Sequence, residues 1–227
     1  HIALVQQSVS ENDFNVVSIF VNPTQFNNLT DLEKYPRNLE NDAQRLAATG
    51  CDLVFAPQSA DIYTVEEMKQ PFEFNFGGLD EVMEGKFRPG HFNGVVQIVS
   101  KLFTLVCPDK AYFGEKDFQQ LAIIHYMVKR LNMNVKIVDC PIVREPEGLA
   151  MSSRNERLTP GQRKIAVNIS KVLTESRNFV PDLNPVELML WVTENLNRIE
   201  GLEVEYYEIA DVETLQTATN WERPTVG

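Results

Sequence analysis

The sequence predicts an α/β fold, a doubly wound parallel sheet followed by a smaller α+β domain. Three observations predict it. Short apolar, β-branched runs alternate with helical patterns up to about residue 140, the order expected of parallel strands joined by helices. Several of these runs stop at a proline, as at Pro23, Pro57 and Pro141. Beyond Pro141 the alternation gives way to a polar connector and two long helical patterns.

Taken in order, His1 to Ser10 sets Ile2, Val5 and Val9 on one helical face. Val16 to Val21 reads as a strand ended by Asn22-Pro23. Leu39 to Thr49 reads as a helix with Gly50 as its stop. Asp52 to Ala56 is a short buried strand ended by Pro57. Gln58 to Pro89 is a long excursion with some helix, and Gly77-Gly78 marks a turn. Gly94 to Val106 is a strongly apolar helix. Lys110 to Phe113 is a strand, Asp117 to Leu131 a helix and Val135 to Cys140 a further strand. After the connector Val143 to Asn155, helices are expected over 160–176 and 185–199, then a strand over Val204 to Ile209. The domain boundary falls between 142 and 143, giving domains 1–142 and 143–227.

The 227 residues, 43% of them hydrophobic, suffice for a buried core. A net charge of −11 argues against general binding to nucleic acid or to anionic membranes, both of which need basic surface. No stretch approaches the roughly 18 to 20 apolar residues of a membrane span. Cys51, Cys107 and Cys140 are widely spaced, lie in or beside apolar stretches and have no CxxC spacing. They read as buried free thiols in a reducing cytoplasm.

Four polar clusters follow strands or open helices, where ligands bind in an open parallel sheet. Asn22-Pro23-Thr24-Gln25-Phe26 is a strand-ending turn whose Asn22 and Gln25 can present amides to a polar ligand. In Gly114-Glu115-Lys116-Asp117-Phe118-Gln119-Gln120, Asp117 and Gln120 have capping-box spacing. Lys116 beside a helix start adds positive charge where backbone N–H groups already favour an anion. Met151-Ser152-Ser153-Arg154-Asn155 carries hydroxyls and a guanidinium that can wrap a triphosphate, or is simply a solvated loop. Arg88-Pro89-Gly90-His91-Phe92 reads as a turn before a buried helix, with a surface loop as the plain alternative. His125 falls inside a helix and reads as structural. Neither a Walker-type loop nor GxGxxG occurs.

Together the stretches VSIFVNPTQF at 17–26, YPRNLENDA at 35–43, RPGHFNGV at 88–95, PDKAYFGEKDFQQL at 108–121 and VREPEGLAMSSRN at 143–155 resemble the pantothenate synthetase (pantoate–β-alanine ligase) family. That family has a Rossmann-like domain of the HxGH nucleotidyltransferase kind and a C-terminal lid. His1 looks like the last His of its opening motif. The resemblance therefore implies that the first strand is missing from this sequence and that the protein is longer at both ends. It implies ATP and Mg²⁺ as reactants, pantoate and β-alanine as substrates, a pantoyl-adenylate intermediate and a homodimer. It assigns catalysis to His1, Lys116 and Arg154. It assigns ATP binding to Gly114, Glu115, Lys116, Asp117, Val143, Met151, Ser152, Ser153 and Arg154. Pantoate or β-alanine falls to Gln25, Gln120, Asn22 and Arg88. The Mg²⁺ ligands stay unassigned. Another HxGH-superfamily nucleotidyltransferase and a non-catalytic nucleotide-binding protein are the competing readings. Two amides and no basic pocket for a second phosphate weigh against the first. The density of candidate catalytic residues weighs against the second.

Overall fold

Capping and turn chemistry start and stop the elements of the computed structural model. It describes every residue but Asn27, Asn28, Pro36 and Pro71, and leaves aside the side chains of Leu29, Asp31 and Lys34. Pro36 belongs to the 35–43 stretch and Pro71 to the 58–89 excursion, and one residue of each thus lies outside the described residues. The chain forms two units, His1–Pro141 and Ile142–Gly227.

In the first unit α1 (Ile2–Glu11) leads to β1 (Val16–Ser18) and, beyond a short 3₁₀ turn at Pro23–Gln25, to α2 (Leu29–Lys34) and α3 (Leu39–Ala48). Asn38 caps α3 by accepting from the N–H of Asn41, and Gly50, at φ +85°, reverses the chain after it. β2 (Leu53–Phe55) pairs parallel with β1, Val16 opposite Leu53. The excursion resolves into α4 (Ser59–Ile62), α5 (Val65–Lys69) and α6 (Met83–Phe87), with Gly77 and Gly78 both left-handed, as a turn requires. A Thr64–Glu67 capping box starts α5. α7 (His91–Val106), β3 (Lys110–Gly114), α8 (Phe118–Arg130) and β4 (Lys136–Cys140) complete the unit. β3 and β4 pair parallel, from Lys110 opposite Lys136 to Gly114 opposite Cys140. No ladder joins the β1–β2 pair to the β3–β4 pair among the described residues.

The core of this unit lies where α7 meets α8. Phe92, Val95, Val96, Ile123, Ile124 and Met127 are almost wholly removed from water. At about 25 cal/mol per Å² of apolar surface, such side chains each stabilise the fold by about 1.5–3 kcal/mol. α7 begins three residues before the expected Gly94, because left-handed Gly90 supplies the turn into it. Buried His91 and Phe92 thus belong to the helix, which removes the surface-loop reading for those two residues, while Pro89 and Gly90 remain an exposed turn. The capping box expected of Asp117 and Gln120 is absent. Asp117 makes no side-chain cap, its carboxylate takes Lys116 instead, and a 3₁₀ turn over Glu115–Asp117 winds into α8. Only Cys140 is buried. Cys51 is half-buried, and Cys107 is exposed at the left-handed end of α7.

The second unit contains α9 (Pro160–Ser176) and α10 (Pro185–Asn197), each opened by a capping box and a first-turn proline. They pack through Val172, Val192 and Leu196. A short antiparallel pair follows, β5 (Ala210–Asp211) with β6 (Thr225–Val226). The strand expected over Val204–Ile209 does not form. Side chains of α10 capture its end donors: Asn197 accepts from the Val204 N–H at 2.9 Å, and the Met189 sulfur from the Ile209 N–H at 3.2 Å. Those donors are unavailable to a partner strand.

Candidate active site

The turn after β1 is seated on the start of α7. The Asn22 amide is buried and fully engaged. Its Nδ2 donates to the Gly94 carbonyl at 3.0 Å, and its Oδ1 accepts from the Tyr63 hydroxyl at 2.8 Å and the Thr24 hydroxyl at 3.1 Å. Asn22, expected to face ligand, therefore spends its hydrogen-bonding capacity on the protein. Gly94 permits this close approach: a Cβ would lie 2.5 Å from the Thr24 carbonyl oxygen. The turn is also fixed one residue on, where His91 Nδ1 lies 2.8 Å from the Gln25 carbonyl oxygen. A carbonyl only accepts, so Nδ1 carries the hydrogen. Burial holds His91 below the usual histidine range, and the Arg88 guanidinium adds to the shift. The Gln25 carbonyl, Glu84 and Asp117 oppose it.

Among the described residues the side chain of Gln25 makes one hydrogen-bond contact, a long 3.4 Å approach from Asn22 Nδ2. Gln120 is half-buried on the first turn of α8, and its side chain has no hydrogen-bond partner among the described residues. Its neighbour Gln119 is the reverse. Buried, it donates at 2.7 Å to the carbonyls of both Leu79 and Val82 and accepts from the Gly85 N–H at 3.2 Å. That amide ties α8 to the segment running into α6. Arg88, at the end of α6, is paired with Glu84 one turn earlier.

At the carboxyl end of β3, Gly114 opens into Glu115, Lys116 and Asp117. Lys116 Nζ meets Asp117 Oδ1 at 3.0 Å, with both side chains well exposed. An exposed pair of this kind contributes about 0–1 kcal/mol, so an incoming anion can displace Asp117. Asp117 lies within electrostatic reach of His91. The β3 end, the turn at Gln25 and the start of α7 thus form one neighbourhood. His1 is exposed at the start of α1, its carbonyl accepting from the Val5 N–H. No side-chain contact joins it to that neighbourhood among the described residues.

In the second unit the 143–151 segment is a hairpin. Val143 accepts at its carbonyl from the Met151 N–H, and Arg144 bridges Ala150. Exposed Met151 precedes a 3₁₀ turn over Ser153–Arg157, which Ser152 caps by accepting from the Arg154 N–H at 3.2 Å. The turn is anchored from behind. Asn155 donates to the Ala150 carbonyl and to Glu145, and Arg163 pairs with Glu145. Asn155 and then Arg163 hold the Glu145 carboxyl below its ordinary range. Among the described residues no group of three or more His, Cys, Asp or Glu side chains could hold a metal ion. Likewise no helix of them is long and apolar enough to cross a membrane.

Sequence reasoning missed Tyr63, Gly94 and Gln119. Gly94 alone had a local signal, since a glycine inside an apolar helix costs about 1 kcal/mol against alanine and so asks for a packing reason.

The family model described as Pantoate-beta-alanine ligase matches residues 1–226. Pantothenate synthetase of Porphyromonas gingivalis is 53% identical over 222 residues, 98% of this chain and 78% of that protein. That of Bacteroides thetaiotaomicron is also 53% identical, with the same coverage. The crystal structure of pantothenate synthetase from Thermus thermophilus superposes with a TM-score of 0.90 at 40% identity, over 97% of this chain and 80% of that one. A pantoate-beta-alanine ligase from Francisella tularensis, complexed with beta-gamma ATP and beta-alanine, gives a TM-score of 0.75 at 40% identity, over 86% of this chain and 73% of that one.

Proposed function

We propose how this chain, which belongs to the pantoate–β-alanine ligase family, carries out that family's reaction. It is an amide-forming ligase that uses ATP to join pantoate to β-alanine. In the first step the pantoate carboxylate attacks the α-phosphate of ATP, forming pantoyl adenylate and releasing pyrophosphate. In the second the β-alanine amine attacks the acyl carbon, and AMP leaves with the bonding electrons of the acyl C–O bond.

One contrast carries the assignment of the acid site. Of the amides in the polar clusters of the first unit, those of Asn22 and Gln119 are consumed by the protein, whereas among the described residues Gln25 makes only a long contact and the side chain of Gln120 makes none. Two available amides on a preset frame suit an acid bearing hydroxyl and carboxylate groups. They also disfavour acids lacking the hydroxyl, since an unpaired half-buried amide is costly. Lys116 is the cation at the β3 end. Its weak pairing with Asp117 supports a role in neutralising charge as it builds on the phosphates. Gly114, Glu115 and Asp117 line the same turn and would face ATP. We assign Met151, Ser152, Ser153 and Arg154 to the phosphates, with residues 143–227 as the lid. The N–H of Val143 is the group left for adenine, since its carbonyl is engaged. Arg88 would meet a substrate carboxylate and His1 the polyphosphate; family resemblance supports both. Mg²⁺ finds no preformed cage in the described residues, so on this reading it arrives on ATP, held by phosphate oxygens and water. A cytoplasmic homodimer belongs to the same reading, supported by the resemblance.

The test is ATP–pyrophosphate exchange. Exchange that requires pantoate and proceeds without β-alanine is the expected result. A folded protein that shows no pantoate-dependent exchange removes the reading.

A further inference from the structure

We infer that Tyr63 is a positioning residue for acid recognition, acting through Asn22 on the turn that carries Gln25. This rests on the assignment of Gln25 to pantoate made above. Tyr63 lies outside every motif stretch, immediately after α4, yet it is 5% exposed and its hydroxyl donates to Asn22 Oδ1 at 2.8 Å. Asn22 is 2% exposed. A carboxamide has two distinguishable ends, and a buried one can be satisfied either way round unless a donor fixes its oxygen. Tyr63 and Thr24 both donate to Oδ1, so Nδ2 is turned toward the Gly94 carbonyl and Gln25 Oε1. The phenol thereby shares with the Thr24 hydroxyl and the Gly94 carbonyl in setting the direction of the Asn22 amide, and that direction turns Nδ2 to Gln25 Oε1, leaving Gln25 Nε2 without a partner among the described residues.

The phenol is itself held in place. Lys101 Nζ lies 5.6 Å from the centre of the Tyr63 ring and pairs with Glu67 at 2.7 Å. Glu67 is fixed in turn by the capping box with Thr64, the residue after Tyr63. The ring packs with Ile62, Ile98 and Phe20. Burial pushes the phenol above its ordinary range, so the donor keeps its hydrogen throughout neutral pH. Phe20 lies between β1 and the turn, so the same ring touches the segment leading into the site.

Tyr63→Phe keeps the ring and removes only the donor. In pantoate-dependent exchange it is expected to raise KM for pantoate about tenfold, the cost of one lost hydrogen bond to a buried group, with KM for ATP within about twofold of the parent. Thr24→Val removes the second donor at a more accessible position. It should shift KM for pantoate in the same direction by a smaller factor, and it supplies the answer if Tyr63→Phe does not fold. On an Asn22→Ala background Tyr63→Phe should add nothing. A Tyr63→Phe protein with lowered Tm but unchanged KM for pantoate makes the residue a mere packing element and overturns the inference, as does an equal rise in both KM values. A parent protein that lacks pantoate-dependent exchange removes the acid assignment and this inference together. Normal exchange by the parent with an unaffected Tyr63→Phe removes this inference alone.

Discussion

Replacing Gly94 by alanine tests how the acid site is built. The added Cβ would lie 2.5 Å from the Thr24 carbonyl oxygen, 2.6 Å from its carbon and 2.7 Å from Gln25 Cα, where ordinary contact begins at 3.4 Å. These are backbone atoms and no flexible side chain can give way, so the turn must retreat from α7 by about 0.9 Å (3.4 less 2.5). Overpacking of this kind costs about 1–3 kcal/mol, and alanine's better helix propensity returns about 1 kcal/mol. The net loss of about 0–2 kcal/mol corresponds to a drop in Tm of no more than about 8 °C for a protein of this size. Activity should suffer far more. A displacement near 1 Å at a positioning group costs about 10²-fold, so kcat/KM for pantoate should fall by that order in a protein still folded at 25 °C. Exchange kinetics beside a thermal melt measure both. Gly94→Ala with kcat/KM for pantoate within twofold of the parent would show that the turn does not present the acid-binding group, and the reasoning from close approach would fail.

Three other outcomes are expected. His91 has a folded-state pKa below its ordinary 6.5, so the unfolded chain binds more protons between those two values. Stability is therefore fully present above about pH 6.5 and declines as pH falls from there toward the folded value; urea midpoints at pH 8, 6.5 and 5 should show the decline, and His91→Gln should flatten it. Gln119→Leu strands the carbonyls of Leu79 and Val82 and the Gly85 N–H, with an expected loss of about 1–3 kcal/mol by urea denaturation; an unchanged midpoint would mean that water replaces the amide. Lys116→Ala should leave the melt unchanged and lower the exchange rate by about 10² to 10³, whereas retained activity would reduce Lys116 to a surface partner of Asp117.

The elements legible in the sequence are those whose signals are local. Thr159-Pro160 and Asn184-Pro185 announce α9 and α10 through caps and first-turn prolines, and the apolar runs at β3 and β4 need only alternation with helices to be placed. Asp117 has capping-box spacing too, but it ends a 3₁₀ turn that winds directly into α8, and its carboxylate makes no cap. Val204 to Ile209 is strand-like by composition, yet Asn197 and Met189 of α10 take its end donors. Whether a strand pairs depends on what else reaches its backbone, which no window of sequence contains. The same limit applied at the site. Asn22, Gln25, Gln119 and Gln120 are all amides, and only their neighbours decide which are consumed and which remain. Tyr63 stands 41 residues from Asn22, so nothing near either residue points to the other.

The frame that seats the turn reaches it mainly through main chain. His91 meets the carbonyl of residue 25, Asn22 meets the carbonyl of residue 94, and the close approach of α7 is to the backbone of residues 24 and 25. Apart from the long Asn22 contact to its Oε1, that frame holds residue 25 by its backbone. If Gln25 binds the acid as proposed, selectivity and scaffold are separately heritable here: a single codon change at Gln25 would alter which acid is accepted while the fold underneath hardly registers it. A new specificity could be sampled at this position without first crossing a valley of unstable intermediates.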